Sequence, residues 1–338
     1  MIVQVWSASA ANTDRLAGGL WGQRWAGRLA VLALLAAALA LPRLTSNQFY
    51  LHMANLALLN AIFTMSLGLI AAVGQLSLGH AAFAATGAYI SALGALHFKV
   101  PPVLGILVSG LGMAAVAAVL GTVLLRLRGV YFVLVTFLAG QVCTLVALNW
   151  ESVTRGANGL VGIPPISLLG YSLSSRAQFY YFALAAFAAV FLFLRALLRS
   201  QFGRAFRSIA ENVELAESSG IDVSRYQVIA FAIGSGIAGA GGAVMAHYIR
   251  YVSPDTFTFH ESVAYITMLV VGGRQTLIGW VLGAAFLTPL PELLRGFVSM
   301  QHIIYGAVLV AVLLFLPGGL SSLGAAIARL ARRVGRRP

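Results

Sequence analysis

Residues 74–80 read Gly-Gln-Leu-Ser-Leu-Gly-His and lie between two long apolar runs. Their glycines and polar side chains interrupt what would otherwise be continuous hydrophobic helix. Backbone without helical hydrogen bonds at membrane depth is tolerated only where it is buried in protein or lines an aqueous cavity. Polar groups at that depth tend to mark a substrate path. The segment therefore indicates either a cytoplasmic turn in contact with water or a path lined by Gln75, Ser77, Gly79 and His80.

The chain around this segment is too apolar for a soluble protein. Its 338 residues are 60% hydrophobic and 9% charged, and its mean hydropathy is +0.90. Soluble domains carry about 25% charged residues, so this chain lacks the charges needed to cover a globular surface. We therefore predict an all-α, polytopic integral membrane bundle of about 8–10 transmembrane helices, with two broken or re-entrant segments. The candidate runs are 25–42, 49–73, 79–97, 102–125, 129–149, 178–198, 227–249, 260–273, 276–290 and 301–317.

A second Gly–polar interruption lies in the C-terminal half, at Gly272, Gly273, Arg274, Gln275 and Thr276. The apolar runs on either side of it are too short to cross a bilayer comfortably, so we expect a re-entrant hairpin or a broken span. Interrupted hydrophobic segments in both halves of a chain point to a transport site between structural repeats. Thr276 therefore joins the candidate path residues.

The distribution of basic residues predicts the orientation. If the N-terminus is inside, 16 of the 22 Lys and Arg residues lie on the inner side and 6 on the outer side. This excess follows the positive-inside bias and places both termini in the cytoplasm. The predicted organisation is a cytoplasmic N-terminal segment (1–24), a transmembrane domain (25–320) and a basic cytoplasmic tail (321–338).

The predicted inner connection, residues 199–226, contains an amphipathic segment. From residue 204 to residue 219, apolar residues recur every three or four positions and acidic residues share another face. This spacing predicts one helix over 204–219 with Gly220 as its C-cap. Such a helix either binds in the groove of a partner or lies on the membrane surface.

Sequence motifs for catalysis, nucleotide binding and metal binding are missing. The only lysine, Lys99, is followed by Val100, so the chain has no GxxxxGK[ST] phosphate loop. One cysteine, Cys143, cannot form an intrachain disulfide, and no two histidines have the i, i+4 spacing of a helical metal site. We therefore expect a non-catalytic membrane protein with no cofactor or metal of its own.

Three segments together resemble one family. Residues 74–83 followed by Gly87, Ala88 and Tyr89 are similar to the signature of the M-type (LivM-type) permeases of branched-chain amino acid ABC importers. Residues 203–231 resemble the cytoplasmic coupling region of that family. Residues 271–284 and 290–295 resemble its C-terminal segment, and the similarity covers about residues 49–320.

The resemblance implies a permease domain at 25–320, in a subunit of an ATP-driven importer of the bacterial inner membrane. The implied partners are a second, H-type permease subunit, two cytoplasmic ATPase subunits that carry ATP and Mg, a periplasmic substrate-binding protein and membrane lipids, with no nucleic acid. Importer permeases dock on the ATPase through a Glu-Ala-Ala-x-x-x-Gly element, from which this chain departs at Leu215. The implied coupling residues are Arg204, Arg207, Glu211, Glu214, Ala216 and Gly220.

Two further departures leave the substrate open. The family usually has Gly where Gln275 stands and Pro where Trp280 stands. Branched-chain, hydrophobic amino acids are the expected substrates, and related permeases carry urea, short amides or aromatic amino acids. The alternative of another class is a self-sufficient secondary transporter. It would need a coupling-ion site, for which the membrane-embedded carboxylates offer only Glu261 and Glu292, both near span ends.

Overall fold

The computed structural model describes residues 38–43, 45, 47–127, 129–168, 171–294, 301–316 and 318–322. The predicted N-terminal segment, most of the first apolar run and the tail from residue 323 lie outside these residues. The chain divides into two compact units, Met1–Leu51 and His52–Pro338. In the first unit, residues 38–43 are helical and a long helix begins at Gln48.

Nearly all of the regular structure is helical. The α-helices are α1 Gln48–Ala71, α2 His80–His97, α3 Pro102–Leu124, α4 Val130–Asn149, α5 Glu151–Thr154, α6 Arg176–Arg199, α7 Gln201–Glu211, α8 Val213–Ser218, α9 Val223–Ile249, α10 Phe259–Gly272, α11 Leu277–Leu287, α12 Leu290–Leu293 and α13 Gln301–Phe315. The 3-10 helices are Gly156–Asn158, Pro254–Phe257 and Leu320–Ser322.

Five of these helices are long and apolar enough to cross a membrane, namely α1, α3, α4, α6 and α9. A sixth candidate is a bent pair, in which Pro254–Gly272 and Leu277–Leu293 meet at an angle of 119°. The predicted all-α polytopic membrane fold is confirmed. The bend also confirms that the short runs 260–273 and 276–290 form a broken or re-entrant segment.

Helix α9 lies at the centre of the bundle and packs mainly on α2 and α3. Small residues make this packing possible, because a Cβ on Gly87 of α2 would overlap the backbone of Gly239 in α9. Small residues at helix interfaces let backbones approach closely in membranes, where dispersion contacts drive association. By contrast, few side chains of α4 and α6 are buried within the chain.

Three of the four strands in the described residues lie in the loop between α5 and α6. Leu160–Val161 (β1) pairs antiparallel with Tyr251–Val252 (β4), which follows α9 directly. Ser167–Leu168 (β2) and Tyr171–Ser172 (β3) form a second antiparallel pair. This loop is therefore ordered and joined to the end of the central helix.

The prediction of a single helix over 204–219 is wrong, because the segment forms two helices, α7 and α8, separated at Asn212. The backbone of Asn212 is extended (φ −158°, ψ 113°), and its Oδ1 accepts a hydrogen bond of 2.9 Å from the amide of Leu215. An asparagine that caps a new helix in this way competes with continuation of the old one. The cap at Gly220 is confirmed: its φ is +82°, and the next amide, of Ile221, bonds to the Ala216 carbonyl at 3.1 Å.

Candidate functional site

The first Gly–polar segment is a break between α1 and α2. Helix α1 ends at Ala71, Gly74 has φ +81°, and α2 begins at His80. The side chains of Gln75, Ser77 and His80 are all buried, with exposed fractions of 5%, 0% and 0%. The three predicted polar residues therefore lie inside the protein, surrounded by packed helices.

His80 is held by a hydroxyl from the helix that precedes the break. Its Nε2 lies 2.7 Å from Ser66 Oγ, and the Ser66 hydroxyl donates its own hydrogen to the Phe63 carbonyl at 2.7 Å. A hydroxyl has one hydrogen to donate, so this arrangement assigns the ring hydrogen to Nε2. His80 Nδ1 and Ser77 Oγ are buried and have no hydrogen-bond partner among the described residues.

Three further contacts fix the chain around the start of α2. A Cβ on Gly79 would overlap the carbonyl of Thr136 in α4, so the backbones of α2 and α4 touch at this point. The hydroxyl of Thr136 also accepts from the Leu78 amide at 3.2 Å. The Ala81 amide donates to Ser262 Oγ of α10 at 3.0 Å. The first break is thereby attached both to a lipid-facing helix and to the bent pair.

The second break, between α10 and α11, is held by Trp280. Gly273 takes a backbone conformation (φ +114°) that suits only glycine, and Thr276 Oγ1 caps α11 by accepting from the Gly279 amide at 3.1 Å. Trp280 Nε1–H donates to the Arg274 carbonyl at 2.9 Å, and its side chain is 1% exposed. The residue that stands where the family usually has proline therefore fastens the bend through a side-chain hydrogen bond.

Both breaks open onto one recess with a volume of about 680 Å³. We call it the arginine recess, after Arg195, Arg199, Arg207 and Arg274 in its lining. Its walls come from the end of α6, from α7 and from the two breaks. The other lining residues are Ala71, Ala72, Gly74, Phe191, Leu198, Gly203, Phe206, Ala210, Glu211, Gln275, Thr276, Leu277, Ile278 and Trp280.

The recess brings together part of the predicted path and part of the predicted coupling region. Thr276 lines it from the second break, and Arg207 and Glu211 line it from α7. The buried Gln75, Ser77 and His80 do not line it, although Gly74 beside them does. Helix α7 touches the first break directly, because a Cβ on Gly74 would lie 3.5 Å from Ala210 Cα.

The remaining predicted coupling residues lie outside the recess, mostly at the surface. Glu214 is exposed on α8, and Leu215 beside it is 65% exposed. Ala216 is buried in a small apolar cluster with Ile209 and Val223, so it holds α8 against its neighbours. Arg204 and Gly220 are exposed. Glu214 and Leu215 therefore lie together at the surface of a short capped helix.

The described part of the chain contains no cluster of three or more His, Cys, Asp or Glu side chains that could hold a metal ion. Glu261 lies in the first turn of α10, where a carboxylate is stabilised by the helix dipole.

Comparison with known proteins decides the family. Residues 49–316 match the family described as branched-chain amino acid transport system / permease component. The chain belongs to this permease family. This permease is 30% identical over 317 residues to the high-affinity branched-chain amino acid transport system permease protein LivM of Escherichia coli K12, an alignment that covers 87% of this chain and 74% of LivM. The LivM of Salmonella typhimurium gives the same figures.

More distant relatives are also transport permeases. The permease is 26% identical over 182 residues to LivH of Escherichia coli K12, with 51% of this chain and 58% of LivH aligned. It is 32% identical over 127 residues to the autoinducer 2 import system permease protein LsrC of Salmonella typhi, which covers 35% of this chain and 37% of LsrC. No solved structure matches the permease significantly. This permease is thus a multi-pass membrane protein of a family of non-catalytic transport subunits.

Several residues at this site were not identifiable from the sequence. Ser66 and Ser262 both bind the start of α2, at the His80 ring and the Ala81 amide, and Ala210 contacts the first break from α7. Each is a small residue in an ordinary helical stretch. A hydroxyl inside an apolar run is the only signal that could have drawn attention to the two serines.

Proposed function

We propose that this permease forms one half of the translocation pathway of an ATP-driven importer for branched-chain amino acids. The observation that carries the proposal is the contact between α7 and the first break, at Ala210 and Gly74. A cytoplasmic helix pair that docks on an ATPase would then directly contact the point where the membrane helix is interrupted.

The proposed mechanism uses the two breaks as hinges. ATP-driven closure of the ATPases displaces α7 and α8, which are joined at Asn212, the N-cap of α8, and end in a Schellman motif at Gly220. Displacement of α7 moves the arginine recess and with it both breaks. Such a change belongs to the class of hinge and shear motions that switch access in transport proteins.

The buried polar atoms of the first break support a role in the path. A buried polar atom without a partner costs on the order of 1–3 kcal/mol, so such atoms favour binding of a polar group. Ser77 Oγ and His80 Nδ1 are two such atoms, and Gln75 lies beside them. In the open state these groups would meet the ammonium and carboxylate of the passing amino acid.

The assembly we propose follows from the family. The relatives LivM and LivH carry names of the same transport system, so a second, H-type permease subunit would complete the pathway. ATP and Mg would bind to two separate cytoplasmic ATPase subunits, and a periplasmic protein would deliver the substrate. The excess of basic residues on one side favours an inner-membrane orientation with both termini in the cytoplasm.

The test is to purify the tagged full-length chain in mild detergent from its native membrane and to identify the co-purifying proteins. We expect an ATPase pair and a permease of similar size. Uptake by the recovered assembly in vesicles, with leucine, phenylalanine, urea and a short amide compared, then assigns the substrate. Recovery of the chain alone, under conditions that preserve a control importer, together with gradient-driven uptake, would make it a secondary transporter and refute the proposal.

A further inference from the structure

Three of the four arginines of the arginine recess, Arg195, Arg199 and Arg274, have no role in the proposed transport cycle. Four arginines line the recess and one carboxylate, Glu211, shares the lining of the described residues. All four arginine side chains are exposed, and Arg207 Nη1 also donates to the Leu198 carbonyl at 3.3 Å. A pocket with this excess of cations favours an anion, and guanidinium groups match phosphate oxygens in geometry as well as charge.

In an α6 that spans the bilayer, the recess lies at the end of the helix, where the lipid headgroups are. Helix α6 has 24 residues. At 1.5 Å per residue it is about 36 Å long, longer than the hydrocarbon core of about 30 Å, so its last turn reaches the interface. Arg199 is the final residue of α6, and Arg195 lies one turn earlier on the same face.

The apolar part of the lining continues from these cations along the membrane helix. Phe191 stands one turn before Arg195, Leu198 lies beside Arg199, and Ile278 borders the recess with 61% of its surface exposed. The neighbouring Leu192 is 62% exposed on α6. A phosphate with attached acyl chains fits a wall that is cationic at one end and apolar at the other, whereas a free anion would use only the cationic end.

We propose that the arginine recess binds the headgroup of an anionic phospholipid, with its phosphate between the arginines and an acyl chain along α6. The lipid would bridge α6, α7 and the second break, and so brace the elements that border the recess. Basic pockets between membrane helices are known chemistry for anionic lipid headgroups. The inference concerns lipid binding by the chain itself and holds whether or not the proposed transport function is correct.

The test measures lipid binding to the full-length chain by native mass spectrometry from detergent, with phosphatidylglycerol and phosphatidylcholine of identical acyl chains. We expect the wild type to prefer phosphatidylglycerol by about tenfold or more, since each arginine near the headgroup contributes about fivefold. The variant Arg195→Gln/Arg199→Gln/Arg274→Gln should lower that preference to about twofold or less. The matched control Arg225→Gln, an exposed arginine in the first turn of α9 outside the recess, should keep it.

Four outcomes overturn the proposal. The first is equal binding of both lipids by the wild type, and the second is the same loss of preference in the control. The third is full displacement of the lipid by inorganic phosphate or glycerol 3-phosphate, which would assign a free phosphate species. The fourth is a triple variant that keeps the lipid preference but no longer co-purifies with the ATPase, which would make the recess a protein-docking surface. If the triple variant does not fold, Arg199→Gln with a salt titration from about 0.05 to about 0.5 M replaces it, with weaker phosphatidylglycerol binding at high salt expected.

Discussion

The substitution Gly68→Ala should detach Trp280 from the second break. Gly68 lies in α1, and a Cβ placed on it would come within 2.6 and 2.7 Å of the indole atoms Cε3 and Cε2. Carbon atoms at their optimal separation are about 3.5–4.0 Å apart, so the ring must move by about 1 Å. Since the neighbours of Trp280 leave it 1% exposed, this movement lengthens the 2.9 Å bond from Nε1 to the Arg274 carbonyl.

The size of the effect follows from three contributions. Overpacking a filled interior costs about 1–3 kcal/mol, and a lost hydrogen bond costs about 0.5–1.5 kcal/mol. Replacing a helical glycine by alanine raises the free energy of unfolding by about 0.5–1 kcal/mol. We therefore expect Gly68→Ala to lower the free energy of unfolding by about 1–3 kcal/mol. Gly112→Ala in α3 is the matched control, because nothing lies within 4 Å of a Cβ there, and it should be neutral or slightly stabilising.

The assay is unfolding of the purified chain in mixed micelles, followed by tryptophan fluorescence and circular dichroism. In a Trp280→Leu background the clash is gone, so Gly68→Ala should cost about 1–2 kcal/mol less than in the wild type. The reasoning would be refuted if Gly68→Ala were as harmless as Gly112→Ala, or if its cost were unchanged by Trp280→Leu. In either case the contact between α1 and the second break would not determine the stability of the Gly68→Ala variant.

Four other substitutions test the coupling region and the first break. Glu214→Arg reverses an exposed charge, so it should leave folding intact but reduce ATPase co-purification and uptake by about tenfold or more; Leu215→Ala should weaken the same association by removing an exposed apolar contact, and unchanged association in both would argue against docking by α8. Gln75→Leu should reduce uptake with assembly intact, as measured by transport in vesicles and subunit stoichiometry, and normal uptake would remove Gln75 from the path. Asn212→Ala should cost about 1 kcal/mol and speed amide exchange at Leu215, because the cap of α8 is lost; unaltered exchange would show that the side chain does not cap the helix.

Local patterns in the sequence predicted the membrane class and the positions of the interruptions. Long apolar runs and few charges are sufficient to predict the membrane class, because a bilayer accepts only helices or closed barrels. The Gly–polar segments at residues 74–80 and 272–276 were sufficient to predict where the helices are interrupted. The prediction of a single helix over 204–219 was wrong because hydrophobic periodicity does not include the capping preference of Asn212. That preference outweighed a continuous amphipathic pattern.

The sequence by itself determined that this chain is a helical membrane permease with helix interruptions at residues 74–80 and 272–276, because composition, hydropathy and short motifs are sufficient to predict those properties. Only the tertiary structure decided that Trp280 packs on Gly68, that Ala210 touches Gly74, and that four arginines share one recess. These contacts join residues that are far apart in the chain. Their existence depends on helix packing and on the 119° bend between α10 and α11, which no local pattern encodes.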